Sequence, residues 1–205
     1  MKRFLLGLVF LQLPILVSWA QTHDLTDEEL DAFQVQCQER VDAFQMGLEI
    51  IGDKRQTVEI KDHYIHTLPE MFLGNGDPWV DKQGGKHKEV VMQVSSLDKQ
   101  DRVVITEHPL KKYLYRLRKL PYTSVTIEKA KTCLVSNLYK VSDNLYTGTC
   151  TFFQYFTAKS GESVVIKDHT QKDVEIYLQR VEDGSLGTYW NLKFGDINVV
   201  ETKPE

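Results

Sequence analysis

The apolar residues of this chain change their spacing along the sequence. Between Leu30 and Ile51 they recur at steps of three and four, as along one face of an amphipathic helix. After Pro121 the remaining segments are strand-like and are separated by short turns. Helices followed by a series of strands are typical of an α+β fold. We therefore expect N-terminal helices packed on one face of a strongly bent, mainly antiparallel sheet.

Three helices are predicted. Thr26 and Glu29 form a capping box at the start of the first helix, which ends at Gly52-Asp53. Thr57 caps the second helix, and Pro69 interrupts its last turn. Pro109 suits the first position of the third. The three apolar faces are Leu30, Phe33, Cys37, Val41, Phe44, Leu48 and Ile51; Val58, Ile65, Leu68 and Phe72; and Leu110, Leu114 and Leu117.

The other segments follow from turn residues and alternation. Residues 74–88 contain four glycines and a proline, which predicts the longest loop. A strand with alternating residues begins at Val90, and residues 102–106 form a second, short strand. The later strands are predicted over residues 123–140, 145–158, 163–168, 172–181 and 187–201.

The first twenty residues have the pattern of a signal peptide. Lys2 and Arg3 precede an apolar run that closes with Ser18-Trp19-Ala20, the small-residue spacing that signal peptidase needs. The alternative is a membrane anchor, but the run is short for a span and Pro14 interrupts it. We expect export to the periplasm or extracellular space, with residues 21–205 as a single domain.

Charge and composition exclude several classes. Hydrophobic residues make up 41% of the chain and charged residues 26%, which disfavours disorder. Removal of Lys2 and Arg3 with the leader takes the net charge from −4 to −6, so no nucleic-acid partner is expected. No later segment is apolar enough to span a membrane, and no motif indicates a cofactor.

Several short motifs resemble the nuclear transport factor two-like, or cystatin-like, cone fold, and more narrowly its secreted domains in Bacteroidetes bacteria. The resemblance covers about residues 26–202 in order, and Trp190 to Ile197 is its most specific part. It rests on Tyr113-Leu114, Leu117, Leu120, Tyr122, Val125, Ile127, Tyr146, Gly148, Phe152 to Phe156, Asp168-His169-Thr170, Lys172, Val174 and Trp190 to Val199.

The resemblance implies a fold and leaves the activity open. Members of this class include isomerases, dehydratases, cyclases and accessory domains without chemistry, and fold alone cannot select among them. Isomerases of the class use a carboxylate base and polar donors in an apolar pocket. The candidate residues by type are Asp62, Asp168 and Asp196, with Tyr146 or Tyr155 as donor. No spacing forces a pair together, so no catalytic residue is assigned.

The strand 145–158 carries aromatic residues on both faces. Tyr146, Cys150, Phe152 and Phe156 are expected to face the helices, which leaves Phe153 and Tyr155 on the outer side. Such exposed aromatics indicate a covering surface, either a second copy of the chain or another exported protein. Trp79, in the predicted loop, either caps the mouth of the cone or lies at an interface.

Cysteine, histidine and basic residues favour structural interpretations. Cys37 lies on the apolar face of the first helix, and a single bridge between Cys133 and Cys150 is possible. His63 and His66, with Glu59 and Glu70, share a helix face that points to solvent, so no metal site is expected. The basic third helix is expected to cover the sheet, with Lys and Arg stems beside its leucines. Residues 74–77 lack the spacing of a calcium loop and are expected to form a turn.

These features predict an exported, non-catalytic binding or assembly module. The alternative is a small-molecule enzyme or carrier of the isomerase or dehydratase type that uses the cone cavity. A cone filled by Phe and Leu side chains favours the module. A buried carboxylate beside a tyrosine in an open cavity favours the alternative.

Overall fold

The structure is a computed structural model that describes residues 24–81, 84–97, 102–129 and 133–204. The predicted signal peptide, residues 1–20, lies outside these ranges. In the described part, no helix is both long and apolar enough to cross a membrane.

The first helix, α1, spans Asp27–Gly52 and confirms the predicted capping box. The backbone N–H of Glu29 donates to Thr26 Oγ1 over 3.2 Å, and the backbone N–H of Thr26 donates to Glu29 Oε2 over 2.8 Å. The predicted stripe faces the core from Cys37 to Ile51, and every apolar member in this stretch is at most 2% exposed.

The second helix, α2, spans Val58–Thr67, and Thr57 caps it as predicted. A 3-10 turn over Leu68–Met71 follows, so Pro69 ends the regular part as expected. The prediction for Val58 is wrong, because this side chain is 58% exposed. Lys61 is buried on that face instead, since Val58 lies one turn nearer the helix start, beyond the surface on which α2 packs.

The predicted loop over residues 74–88 contains regular structure. A 3-10 turn covers Leu73–Gly76, and a small hairpin pairs β1 (Trp79–Val80) with β2 (Lys86–His87). Asp81 closes the hairpin, because its Oδ1 accepts from the backbone N–H of Gly85 over 2.7 Å and its Oδ2 lies 2.8 Å from His87 Nε2. These two contacts hold β1 and β2 together although the segment is rich in glycine.

The middle of the chain supplies a hairpin and the third helix. Strand β3 spans Val91–Leu97 and pairs with β4, Val103–Pro109, which extends further than predicted. Helix α3 spans Leu110–Arg118, with Pro109 as its cap residue, one position before the predicted site. Its three leucines are buried as predicted, and the basic side chains flank them.

The predicted strand over 123–140 is three strands, and all of them pair with β8. The six C-terminal strands are β5 (Ser124–Lys129), β6 (Leu134–Val135), β7 (Tyr139–Ser142), β8 (Leu145–Ser160), β9 (Ser163–Asp183) and β10 (Gly187–Pro204). The pairing is interrupted because the two strands advance by different numbers of residues. Lys129 lies opposite Gln154 and Leu134 lies opposite Thr151, so five residues along this segment correspond to three along β8.

The two strands predicted over 163–168 and 172–181 are a single strand. Strand β9 continues through His169 because it is paired on both sides there, with Tyr155 of β8 and Lys203 of β10. Two ladders of backbone hydrogen bonds hold the polar stretch extended, although its composition suggests a turn.

The large sheet has the order β4-β3-β10-β9-β8-β5. Within the described ranges, neighbouring strands of this sheet run antiparallel, except that β10 and β3 are parallel, with Ile197 opposite Met92. The three helices cover one face, and the core lies between them and the sheet. The predicted α+β class is confirmed, and the arrangement fits the cone architecture that the resemblance implies.

Candidate functional site

Strand β8 separates two environments. Tyr146, Cys150 and Phe152 face the helices and are 5%, 0% and 1% exposed, as predicted. Phe156 lies on the same face but is half-buried. Gln154, also on this face, is buried although it is polar. Along β8 the inner face is therefore apolar apart from the buried Gln154.

The outer face carries three aromatic rings in contact. Phe153 and Tyr155 point away from the helices, as predicted, and both are half-buried. His169 of β9 stacks on Tyr155 with ring centroids 4.4 Å apart and lies 5.4 Å from Phe153. We call Phe153, Tyr155 and His169 the outer patch. Its rings already bury part of one another, which explains why they are not fully exposed.

Charged and polar residues surround the outer patch. Glu128 of β5 lies opposite Tyr155 in the ladder, and Lys203 of β10 lies opposite His169. Further along β8 the outer side chains are threonines, and Thr151 donates to Asp173 over 2.6 Å. The His169 Nε2 atom is buried and has no hydrogen-bond partner among the described residues. A buried ring nitrogen without a partner is costly.

Trp79 lies apart from the outer patch, in the β1–β2 hairpin. Its ring stacks on His87 at 4.1 Å and 11°, and the side chain is half-buried against the core. A methyl group at Gly74 would lie 2.6 Å from the indole, so the tryptophan closes tightly over the preceding turn. The hairpin itself holds Trp79, and the ring does not join Phe153 and Tyr155 in one surface.

Polar side chains on the inner face gather around Thr170. Thr170, 3% exposed, places its Oγ1 3.2 Å from oxygens of three side chains, those of Ser95, Asp168 and Thr202. Lys172 lies two residues further along the same face and is also 3% exposed. We call Ser95, Gln154, Asp168, Thr170 and Lys172 the inner polar cluster.

The charge state of the inner polar cluster is shaped by burial. Desolvation lowers the pKa of Lys172 to about 8, and the nearby Asp168 carboxylate opposes this effect only in part. Tyr113 of α3 is close to the same carboxylate, and burial, reinforced by that negative charge, raises the pKa of its phenol. A lysine of this kind carries a substantial neutral fraction at mildly alkaline pH.

One amide of this cluster is unsatisfied. The Gln154 Nε2 atom is buried and finds no hydrogen-bond acceptor within the described ranges. A ligand with an oxygen acceptor, or a water molecule, would satisfy it. The inner polar cluster therefore has donor groups available inside the cone.

The other predicted acid–base candidates lie in different places. Asp62 forms an ion pair with Arg118 on the helical side. Asp196 accepts a 2.7 Å hydrogen bond from the backbone N–H of Val91 and so fixes the start of β3. The Tyr146 hydroxyl accepts from the backbone N–H of Leu25 over 3.2 Å. These three groups hold the fold together, and only Asp168 among the predicted carboxylates joins a buried polar cluster.

The rest of the cone interior is filled by side chains. Phe72 packs edge-on against Phe44 at 5.2 Å and against Phe194 at 5.6 Å, and all three are at most 2% exposed. A groove of about 380 Å³ lies on the outside of the helices, lined in part by Arg40, Tyr64 and Met71 of α1, α2 and the following 3-10 turn.

The histidine-bearing face of α2 points to solvent, as predicted. His63 and His66 are exposed, as are Glu59 and Glu70. No group of three or more His, Cys, Asp or Glu side chains in the described ranges is arranged to hold a metal ion. Residues 74–77 form a turn, in which Gly74 and Asn75 have positive φ angles.

Six residues of these sites were not singled out as site residues from the sequence: Ser95, Tyr113, Gln154, His169, Thr170 and Lys172. A signal for two of them exists in the parity of β9, because residues 170 and 172 share the face of the apolar residues 174, 176 and 178. The predicted turn at His169 concealed this continuity. Gln154 shares the parity of Phe152 on β8 in the same way.

No family model matches the chain, and no curated protein matches it in sequence. Solved structures of similar shape include the following two. A protein from Novosphingobium aromaticivorans with the provisional name scytalone dehydratase is 7% identical, with a TM-score of 0.42 over 87% of this chain and 91% of that chain. A type 2 hexachlorocyclohexane dehydrochlorinase (LinA) is 12% identical, with a TM-score of 0.37 over 85% and 93%. Neither assigns an activity or a residue role to this chain.

Proposed function

We propose that this chain is an exported, non-catalytic binding module that associates with another protein surface through the outer patch. The observation that carries the proposal is the aromatic cluster of Phe153, Tyr155 and His169 on the face that the helices do not cover. The partner to be tested first is a second copy of the chain.

The chemistry of the outer patch suits a protein interface. Aromatic residues are the usual anchors of such interfaces, and burial of apolar surface contributes about 25 cal/mol per Å². The polar rim of threonines and the charged residues Glu128 and Lys203 can exclude water around the rings.

The experiment compares two double variants by sedimentation and circular dichroism. Phe153→Ser with Tyr155→Ser is expected to abolish the dimer or a partner complex while the monomer remains folded. The matched control is Tyr139→Ser with Val141→Ser, which removes two exposed apolar side chains from the edge strand β7. The proposal is refuted for self-association if the wild type is a monomer at all concentrations, or if the control dissociates equally.

The inner face provides a contrast. Phe152 is 1% exposed, and truncation of a core phenylalanine costs about 3–5 kcal/mol. Phe152→Ser is therefore expected to unfold the monomer, with loss of the circular dichroism signal. If Phe152→Ser stays folded and the outer double variant unfolds, the two faces are assigned the wrong way round.

Export is a part of the same proposal. The Ser18-Trp19-Ala20 sequence supports cleavage between Ala20 and Gln21. Intact-mass measurement on the protein from its native compartment is expected to give a chain that starts at Gln21. A mass that includes residues 1–20 would contradict this part and leave the interface test unaffected.

A second candidate function is a small-molecule enzyme or carrier that uses the inner polar cluster. It is favoured by the buried Lys172, whose pKa is lowered to about 8 by desolvation, and by the unsatisfied amide of Gln154. A neutral lysine amine inside a cone can accept a proton or react with a carbonyl compound.

Reductive methylation with formaldehyde and a hydride donor tests whether small molecules reach the inner polar cluster. At pH 8, fast methylation of Lys172 relative to the exposed Lys159 would favour the enzyme or carrier. Methylation of Lys159 alone in the folded protein, with both modified after unfolding, would show a closed cluster and favour the module.

A further inference from the structure

The three cysteines of the chain meet at one place in the fold. Cys37 comes from α1, Cys150 from β8, and Cys133 from the irregular segment directly before β6. All three side chains lie in or against the same hydrophobic core, and all three are free thiols. Cys150 is close enough to the other two for each of them to shift its pKa. These residues are 96 and 17 positions apart in the sequence, so the fold alone brings the three sulfurs together.

The surroundings of this thiol cluster disfavour a thiolate. The hydrogen bond to Cys150 and burial raise the pKa of Cys133, and the Asp42 carboxylate adds to the effect. For Cys150, the contact with Cys133 opposes the rise, but contact with Cys37 and burial outweigh it, so its pKa is also raised. Negative charge from Asp173 acts in the same direction. A neutral disulfide fits such a site without a desolvated charge.

The two possible partners of Cys150 differ in access and freedom. Cys37 is 1% exposed and held within a 26-residue helix. Cys133 is half-buried. It directly precedes the two-residue strand β6 and is not part of the β6–β8 hydrogen-bond ladder. Val135 is registered opposite Cys150, so Cys133 and Cys150 project from the same face of the paired strands. Cys133 can reach an oxidant and can shift toward Cys150 with little disturbance.

We propose that Cys133 and Cys150 form an intramolecular disulfide by exchange with a small-molecule disulfide, and that Cys37 remains a buried thiol in contact with the bridge. The Cys133 thiolate attacks one sulfur of the external disulfide, which forms a mixed disulfide and releases one thiolate. The Cys150 thiolate then attacks the Cys133 sulfur and expels the second thiolate. Two protein thiols are oxidised, one external disulfide is reduced, and the two protons pass to the released thiolates.

The chemistry predicts a particular pH dependence. Because both thiol pKa values lie above the ordinary range, the thiolate fraction grows about tenfold for each pH unit between pH 7 and 9. The bridging rate is expected to rise in the same proportion, while the position of the bridge stays constant.

The test uses the purified folded protein with oxidised glutathione as the disulfide. Thiol titration after denaturation is expected to fall from three groups to one, and peptide mapping is expected to join residue 133 to residue 150. Cys37→Ala is the matched control, because it removes the third thiol and leaves the proposed pair. It is expected to lose both of its thiols at the wild-type rate.

Three results would overturn the proposal. The first is a bridge between Cys37 and Cys150 in the folded wild type. The second is retention of all three thiols, or only a stable glutathione adduct on Cys133. The third is loss of two thiols from Cys133→Ser as fast as from the wild type. Circular dichroism of each reduced variant confirms that it is folded before oxidation. None of these readouts depends on the outer patch or on export.

Discussion

Replacement of Lys172 tests how strongly burial acts on the inner polar cluster. The side chain is 3% exposed, and its pKa falls from 10.5 to about 8 through desolvation. At 1.36 kcal/mol for each unit by which the pKa falls, burial of the charged lysine costs about 3 kcal/mol of folding free energy. Lys172→Met keeps most of the side-chain volume and removes the charge. We therefore expect the variant to be more stable than the wild type at pH 7, by up to about 3 kcal/mol.

The pH dependence gives this prediction its sign. Below pH 8, Lys172 is protonated in both the folded and the unfolded chain, so it contributes no slope. Between about pH 8 and 10.5 the folded chain has released this proton and the unfolded chain still binds it, so wild-type stability rises with pH. The stability advantage of Lys172→Met is therefore expected to shrink across this window and to be largely gone at its upper end.

Urea unfolding at half-unit steps from pH 6.5 to 10.5 measures this effect. The difference between wild type and variant cancels the tyrosines, thiols and other lysines that also titrate there. Lys159→Met, an exposed lysine on β8, is the matched control and is expected to stay within about 0.5 kcal/mol at every pH. Parallel pH profiles for the wild type and Lys172→Met would refute the argument, because they would mean that the ammonium keeps its hydration in the folded state.

Three further predictions concern the cap, the turn and the thiols. Thr26→Ala removes the side chain that accepts from the Glu29 backbone, and is expected to cost about 1 kcal/mol in urea unfolding; no change would mean that the helix start is frayed. Gly74→Ala places a Cβ 2.6 Å from the Trp79 indole at a φ of +59°. The variant is expected to lose about 1–3 kcal/mol of stability and to show altered tryptophan emission. Unchanged stability and emission would contradict the close packing of Trp79 over this turn. Cys37 is 1% exposed and is expected to resist thiol labelling in the folded protein while Cys133 reacts first; rapid labelling of Cys37 would place the first helix in the wrong phase.

Helical periodicity and capping residues predicted the helical layer closely. Thr26, Glu29 and Thr57 fix helix starts through contacts within four residues, and such contacts are visible in sequence. Val58 was misplaced because periodicity gives the angle around a helix and not how far the packed surface extends along it. That extent depends on α1 and α3, which are distant in sequence.

Strand pairing was predicted less well, for a related reason. The polar stretch around His169 resembles a turn by composition, but it is held extended by partners on both sides. The breaks after β5 and β6 depend on a mismatch in residue number with β8, which no local pattern reveals. Lys172 was missed as a site residue for the same reason, because its burial results from the registers of three neighbouring strands and the approach of α3.

The parallel pairing of β3 with β10 has a consequence for the growing chain. Ile197 must meet Met92 across about 105 residues, so the β3–β4 hairpin has no neighbour on the β3 side until the last strand has been made. At 5–20 residues per second this interval lasts roughly 5–20 s on the ribosome. The other edge offers Val103, Val104 and Ile105, each at least 40% exposed even in the finished fold. Until β10 is in place, both edges of the β3–β4 hairpin are therefore open to wrong strand pairing.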